Sequence, residues 1–281
     1  MRVAVTGASG MLGTDVVRGL RARGHAVQAL SRPDFDILDR AQLDAMAADV
    51  DVVVNCAAWT AVDDAETQEA DAFVLNAVVP QLLARVTRER GVILVHVSTD
   101  YVFGGDAVEP YDEEAALAPR SAYGRTKAAG EWAVRAGNPQ HWLVRTAWLY
   151  GAAGGCFPKT IARLAADRDE IKVVVDQVGQ PTWTVDVAEQ IGSLIDGGAP
   201  FGIYHATSSG TATWHDLAKR VVAASGGRAR VEPTTSDQFP RPAQRPAWSV
   251  LGHRRWHEAG IEPIGDWRER WDAAAASVLA G

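Results

Sequence analysis

The 281-residue sequence predicts an α/β fold built on a doubly wound parallel sheet. Over residues 1–150, short apolar runs alternate with segments of helical periodicity. The later runs are apolar on both sides of the pleat, as in parallel strands that helices cover on both faces. After residue 150 the alternation weakens and prolines become more frequent, which predicts a smaller C-terminal cap.

The predicted elements follow one another in order along the first half of the chain. Apolar residues recur at helical spacing from Leu12 to Leu20, and Gly24 ends this first helix. Further helices are predicted at Phe73–Val86 and Tyr123–Val134. The predicted strands are Val3–Thr6, Ala26–Leu30, Val52–Val54, Ile93–Val97 and Leu143–Val144.

The composition excludes several classes of protein. Hydrophobic residues make up 47% and charged residues 22%, which is typical of a soluble globular chain rather than a disordered one. A net charge of -7 gives no global positive field for nucleic acid or an anionic membrane, so we expect neither as a partner. Only two cysteines, Cys56 and Cys156, and a start unlike a signal peptide predict a cytoplasmic protein without disulfides.

A glycine-rich loop, TGASGMLG at residues 6–13, joins the first strand to the first helix. Gly7 permits a tight turn, Gly10 lets the backbone approach a pyrophosphate, and Gly13 lets the helix pack close to the strand. The helix N terminus offers free N–H groups to phosphates. An ordinary turn would be the alternative, but the strand–loop–helix context favours a dinucleotide site.

The end of the second predicted strand bears on the identity of the dinucleotide. Arg32 follows Leu30 and Ser31, where a cation would meet the 2′-phosphate of NADPH. Asp34 and Asp36 lie close behind, and a carboxylate there would bind a ribose hydroxyl instead. The sequence therefore favours NADPH and leaves NADH open.

These features predict the domain organisation. Residues 1–150 form a dinucleotide-binding Rossmann domain, to which residues 176–200 return. Residues 151–175 and 201–281 form a discontinuous cap that binds the substrate.

Tyr123 and Lys127 lie four residues apart, which places them on one face of a helix. A neighbouring ammonium favours the phenolate, so we expect Lys127 to lower the pKa of Tyr123. This pair alone also arises by chance. Ser98 and Thr99, at the end of the strand Ile93–Val97, add hydroxyl groups where ligands of such sheets bind. A hydroxyl there would stabilise the oxyanion that forms as a ketone accepts hydride.

The sequence resembles the extended short-chain dehydrogenases/reductases, and among them the dTDP-4-dehydrorhamnose reductase family. The resemblance extends over nearly the whole chain. It rests on TGASGMLG (6–13), NCAA (55–58), STDYVFGG (98–105), YGRTK (123–127), RTAWLYG (145–151), DQVGQPT (176–182) and RPAWSVL (245–251). Where relatives often have asparagine in the last motif, this chain has Trp248.

The resemblance implies a catalytic triad of Thr99, Tyr123 and Lys127. Thr99 and Tyr123 would hydrogen-bond the C4 carbonyl of a dTDP-linked 4-keto-6-deoxy sugar, and Tyr123 would donate the proton. Lys127 would hold the nicotinamide ribose. The predicted cofactor-binding residues are Gly7, Gly10, Met11, Leu12, Gly13, Ser31, Arg32, Asp36, Ala57, Ala58, Tyr123 and Lys127. The predicted substrate contacts are Val62, Thr99, Asp100, Tyr101, Tyr123, Trp148, Trp183 and Arg245.

The expected reaction is reduction of a ketone. Related dehydratases carry glutamate after the Ser-Thr-Asp triplet, whereas this chain has Tyr101, which argues against elimination. The favoured substrate is dTDP-4-dehydrorhamnose, with another dTDP-deoxysugar as the alternative. A non-catalytic dinucleotide-binding regulatory subunit is the alternative from another class. No metal site is predicted, and a homodimer is left open.

Overall fold

The computed structural model describes residues 1–280. Its strands are β1 (Arg2–Thr6), β2 (Ala26–Leu30), β3 (Val52–Asn55), β4 (Ile93–Thr99), β5 (His141–Thr146), β6 (Leu149–Tyr150), β7 (Glu170–Val174), β8 (Val178–Gly179), β9 (Thr182–Trp183), β10 (Gly202–His205), β11 (Ala212–Thr213) and β12 (Arg230–Thr234). Its α-helices are α1 (Met11–Ala22), α2 (Arg40–Ala48), α3 (Glu69–Phe73), α4 (Val79–Arg90), α5 (Ala122–Gly137), α6 (Phe157–Asp167), α7 (Thr184–Gly197), α8 (Trp214–Ser225), α9 (Arg254–Glu258) and α10 (Trp267–Leu279).

The central sheet has six parallel strands in the order β2-β1-β3-β4-β5-β10. The predicted doubly wound parallel sheet is therefore confirmed. The inner strands are valine-rich and buried, whereas β2 is one of the two edge strands and is mostly exposed. The predicted run Leu143–Val144 extends to His141–Thr146, because polar residues of β5 are buried as well.

Helices cover both faces of the sheet. Val3 and Val5 point to one face, where they pack with α1 and α7, while Ala4 points to the other, where α2 and α4 pack. This alternation follows from the two-residue period of a strand. The packing of α7 on α1 brings Thr184–Gly197 to the sheet.

A second apolar core lies in the C-terminal half of the chain. It is formed by α6, α8 and α10 together with the parallel pair β7–β12. Trp267 and Trp271 of α10 are among its buried side chains. We call this part of the molecule the cap.

The predicted cap boundary at residue 201 needs correction. Gly202–His205 forms β10, which pairs with β5 in the central sheet. Trp256 of α9 lies in the apolar core beside the same sheet. The strand is short and begins at a glycine, so its apolar pattern was too weak to separate it from the cap.

Residues 69–90 form one helical segment with an irregular centre. A π-helical turn at Val74–Val78 joins α3 to α4. The buried side chain of Asn76 in this turn accepts a hydrogen bond from the Trp59 amide and donates one to the Trp59 carbonyl. The turn thus fixes the loop that follows β3. None of the helices in residues 1–280 has the length and apolar character that a membrane crossing requires.

Candidate active site

The glycine loop has no space for a side chain at Gly7 or at Gly13. Gly7 has φ +67°, and a Cβ atom there would lie 2.6 Å from the Ala57 nitrogen. A Cβ atom at Gly13 would lie 2.1 Å from the Gly7 carbonyl oxygen. The loop therefore packs directly against the segment after β3 and against the start of α1, as a dinucleotide-binding turn requires.

A cleft of about 510 Å³ opens between this loop and the carboxyl ends of β2 and β3. It brings together seven of the predicted cofactor residues. They are Gly7, Gly10, Ser31, Arg32, Asp36, Ala57 and Ala58. The cleft and the loop together fit a dinucleotide.

Met11, Leu12 and Gly13 form the first turn of α1, where backbone N–H groups lack partners inside the helix. Gly10, the residue before the helix, supplies no side-chain cap. The side chain of Leu12 is buried in the apolar core, so only its backbone can take part in binding. A side-chain contact from Leu12 is thus excluded.

The end of β2 presents a free cation. The Ser31 hydroxyl accepts a hydrogen bond from the Ser9 amide at 3.1 Å, which ties β2 to the glycine loop. The Asp36 carboxylate accepts from the Leu38 amide at 2.9 Å. Arg32 is exposed and forms no ion pair with any residue of the described range 1–280.

The three predicted catalytic residues lie at the carboxyl edge of the sheet. Thr99 ends β4, and Tyr123 lies in the first turn of α5, which the Ser121 hydroxyl caps. Lys127 lies one turn further on, and its Nζ donates to the Val97 carbonyl at 2.7 Å. The Thr99 hydroxyl is close enough to the Tyr123 phenol to favour its ionised form.

The expected lowering of the Tyr123 pKa is wrong for this structure. Burial raises the pKa of Tyr123 to about 12, because a phenolate is poorly solvated inside the protein. Burial lowers the pKa of Lys127 to about 8 for the same reason. The Lys127 ammonium is directed to Val97, and Tyr123 stays a neutral phenol that holds a proton near pH 7.

Tyr101 and Val62, which are two of the predicted substrate contacts, pack in the same small apolar cluster as Tyr123. The rings of Tyr101 and Tyr123 meet edge to face, with centroids 5.5 Å apart. Val62 and Trp59 pack in the same small apolar cluster. Asp100 follows Thr99 and is buried beneath this surface.

Arg245 also reaches this region, but its charge is already paired. It forms a two-pronged ion pair with Asp63, in which Nη2 lies 2.9 Å from Oδ2. Arg245 lines a small pocket together with Tyr101 and Arg120. Asp63 therefore offsets the charge of Arg245, and the contact of Arg245 with the substrate stays a prediction.

The two predicted tryptophan contacts differ in their surroundings. Trp148 stacks on Trp214 with ring centroids 3.6 Å apart, and its φ of +46° is rare for a residue with a side chain. Trp183 packs against the cap core, and the Arg270 guanidinium lies 5.6 Å from its ring centroid. The structure thus places Trp183 in the cap packing rather than beside Tyr123.

Sequence reasoning missed Asp63, Ser249 and Trp214 as contributors to this region. Asp63 binds Arg245 across the molecule, and Trp214 supports Trp148. Ser249 faces Asp100. Ser249 lies in the motif RPAWSVL (245–251), which was the available signal for this residue. No local sequence pattern links Asp63 to Arg245 or Trp214 to Trp148. Within residues 1–280 no cluster of three or more metal-ligand side chains occurs.

Comparison with known families places the site in context. The family model described as RmlD substrate binding domain matches residues 1–279. The chain belongs to this family. The expected kinship with the dTDP-4-dehydrorhamnose reductases is thereby confirmed.

Two relatives and one solved structure illustrate the similarity of this RmlD-family chain. A dTDP-4-dehydrorhamnose reductase of Streptomyces griseus is 49% identical, covering 95% of this chain and 90% of the relative. A dTDP-4-keto-6-deoxy-D-glucose reductase of Streptomyces niveus is 48% identical, covering 95% and 93%. The crystal structure of a dTDP-4-dehydrorhamnose reductase of Bacillus anthracis in complex with NADP has a TM-score of 0.94 and 34% identity, covering 97% of this chain and 98% of that one.

Proposed function

We propose that this protein is an NADPH-dependent reductase of the C4 ketone of a dTDP-linked 4-keto-6-deoxy sugar. The favoured conversion is dTDP-4-dehydrorhamnose to dTDP-rhamnose. The observation that carries the proposal is the position of Thr99 at the carboxyl end of β4, next to the Tyr123 phenol, with Lys127 one turn further along α5 and a cleft lined by the glycine loop nearby. Membership of the RmlD family, and the names of the Streptomyces relatives, support the same reaction.

Each residue of the site would have a separate role in the reduction of a ketone. A bound reduced nicotinamide would supply the hydride. Tyr123, neutral because its pKa is raised, would donate a proton to the oxygen that becomes negative at C4. The Thr99 hydroxyl would stabilise the same oxygen, and the Lys127 ammonium would hold the ribose. Tyr101, Val62 and Trp148 would contact the sugar.

Arg32 supports NADPH over NADH. Its side chain lines the cleft and is exposed without an ion pair among the described residues, so a 2′-phosphate could bind it. A neighbour in complex with NADP supports the same choice.

A second sugar is supported by a specific comparison. The Streptomyces niveus relative is named for dTDP-4-keto-6-deoxy-D-glucose, at nearly the identity of the dTDP-4-dehydrorhamnose reductase. A different deoxysugar therefore remains the alternative substrate.

The test is an assay of NADPH oxidation with a panel of dTDP-4-keto sugars, with NADH in parallel. Tyr123→Phe should lower kcat by about 10²-fold or more, because no proton donor remains at the ketone. Its affinity for NADPH should stay within about twofold, since a single hydroxyl away from the dinucleotide phosphates is lost.

Tyr204→Phe is the matched control. It removes a hydroxyl that binds the Pro200 carbonyl at the far end of β10, and it should keep wild-type turnover. Absence of turnover with every sugar and both cofactors, in a folded protein, would favour the regulatory subunit instead.

The proposal includes the location, the partners and the oligomeric state of the protein. We infer a cytoplasmic location, which the two free cysteines Cys56 and Cys156 support. We also infer that neither nucleic acid nor membrane is a partner, in keeping with the negative net charge. A homodimer is supported by the exposed side chains of Phe73 and Trp132, on the mutually packed helices α3 and α5.

A further inference from the structure

Asp100 is a buried carboxyl group directly behind the proposed catalytic hydroxyl. Only 2% of its surface is exposed. The Thr99 hydroxyl donates to Asp100 Oδ1 at 2.9 Å. Ser249 faces the same carboxyl group, yet neither Asp100 Oδ2 nor Ser249 Oγ completes a hydrogen bond within residues 1–280.

This hydrogen bond conflicts with the role proposed for Thr99. A hydroxyl group has one proton to donate. If Asp100 is ionised, its carboxylate can only accept hydrogen bonds. The Thr99 O–H then points to Asp100 and cannot donate to the substrate oxygen. If Asp100 carries a proton it can donate to Thr99 Oγ1, and the Thr99 proton is then free to turn toward the ketone.

We propose that Asp100 is a positioning residue that acts as a neutral carboxylic acid and sets the direction in which the Thr99 hydroxyl donates. The inference rests on the proposed function, in which Thr99 stabilises the developing negative charge at C4. In the active form the hydrogen bonds run from Asp100 to Thr99 and from Thr99 to the substrate oxygen. In the inactive form Thr99 donates to Asp100, and the hydrogen bond from Thr99 to the substrate oxygen is lost.

The surroundings of Asp100 favour the neutral form. Burial raises the pKa of Asp100 to about 6, while the hydrogen bond from Thr99 and the nearby Ser249 hydroxyl group partly oppose this rise. The titratable groups that face it are the phenols of Tyr101 and Tyr123, and its charge raises the pKa of both. No arginine or lysine of the described residues pairs with it, because Arg245 is bound to Asp63.

Below the Asp100 pKa the carboxyl group is protonated, and Thr99 donates to the ketone. As the pH rises through that pKa, Asp100 ionises and kcat falls. The fall should lie below the pH at which Lys127 titrates, since the pKa of Lys127 is lowered only to about 8.

The experiment compares pH profiles of kcat for the wild type and Asp100→Asn with NADPH and a dTDP-4-keto sugar. The wild-type kcat should fall by about 20-fold between about pH 5 and pH 7.5, because only about 3% of a carboxyl group with a pKa of about 6 stays protonated at pH 7.5 and losing one donor to an oxyanion costs about 10²-fold. Asp100→Asn should have a flat profile over this range, because an amide N–H donates to Thr99 at every pH. Asp71→Asn, which changes an exposed carboxylate on α3, should keep the wild-type profile.

A second variant separates positioning from structure. Thr99→Val should lower kcat and also remove the pH dependence, because Asp100 acts through the Thr99 hydroxyl. The double variant Thr99→Val/Asp100→Asn should then match Thr99→Val within about twofold, as expected for residues that act as one unit. An additive loss, or an Asp100→Asn profile that falls like the wild type, would overturn the inference.

Infrared titration tests Asp100 without turnover. The wild type should show the carbonyl stretch of a protonated carboxyl group up to about pH 6, and Asp100→Asn should lack it. Titration of Asp100 near the ordinary value of about 4 would overturn the inference even if no sugar is reduced. Turnover of a dTDP-4-keto sugar with a failed Asp100 test leaves the proposed function standing, so the two failures are distinguishable.

Discussion

Gly13 shows how a single residue decides whether a cofactor loop can form. Its position on α1 leaves the Gly7 carbonyl 2.1 Å from where a Cβ atom would be. Any side chain there must push the helix away from the loop. The phosphate-binding N–H groups of α1 would move with it.

Gly13→Ala should therefore destabilise the protein by about 1–3 kcal/mol, the usual effect of overpacking. It should also weaken NADPH binding, since the loop and the helix N terminus can no longer pack together. Thermal unfolding and fluorescence titration with NADPH measure the two effects. Gly155→Ala is the control, because no atom lies within 4 Å of its Cβ position. Equal behaviour of the two variants would contradict the argument.

For single residues, the sequence allows predictions where the signal is local. The glycine spacing of residues 7–13 and the interval from Tyr123 to Lys127 are short-range patterns with a fixed geometry. The ion pair of Arg245 could not be predicted, because the identity of a charged side chain does not reveal its partner. Asp63 lies 182 residues away, and only the folded chain brings the two together.

The junction of β5 and α5 is held by a buried ion pair between Arg145 and Glu131. Arg145 Nε and Nη2 lie 2.9 and 2.8 Å from the two carboxylate oxygens of Glu131. The side chains are 1% and 0% exposed. Arg145 also donates to the Glu113 carbonyl at 2.9 Å. The pair joins the strand next to β4 to the helix that carries Tyr123.

Removing one charge of this pair should be costly. Glu131→Gln leaves the Arg145 guanidinium buried without its counter-ion, which destabilises a protein by about 3–5 kcal/mol. Glu69→Gln breaks a half-exposed ion pair between α3 and Arg125 of α5. It should change the free energy of unfolding by about 1 kcal/mol or less. Urea unfolding of both variants checks the contrast, and a similar small loss in each would refute it.

Whole elements were predictable when their apolar pattern was long and unambiguous. β1 and α5 were found within a few residues of their observed bounds, since strand and helix periods differ clearly there. The helix α2 was missed because Arg40–Ala48 is short and mostly polar or alanine. Its N-cap Asp39, which accepts from the Ala41 and Gln42 amides, was the available signal.

Across the whole molecule, the ion pair of Asp63 and Arg245 joins the loop after β3 to the proline-rich segment 240–246. Both side chains are largely buried, and the Ala243 amide also donates to Asp63. The small pocket beside Tyr101 is lined on one side by this segment. The pair therefore helps to hold that wall in place.

Asp63→Asn should loosen the wall and raise KM for the sugar by about fivefold, the effect of losing about 1 kcal/mol from a partly exposed pair. KM for NADPH should change little, because the dinucleotide cleft lies elsewhere. Asp272→Asn, which breaks a pair with Arg220 inside the cap, should alter neither constant. A lower KM for the sugar would contradict this expectation and would mean that Arg245, once released from Asp63, binds the diphosphate of the substrate.

The wide turn at Val74–Val78 holds one residue more than a regular helix would need over the same height. Deleting a residue here would rewind the turn into regular helix and change the direction of its own side chains, while α3 and α4 would keep nearly the same relative orientation. Asn76 would then swing away from Trp59, and the neighbouring Val62 would lose its support. The protein should therefore accept exchanges of side chains in this stretch more readily than any change in its length.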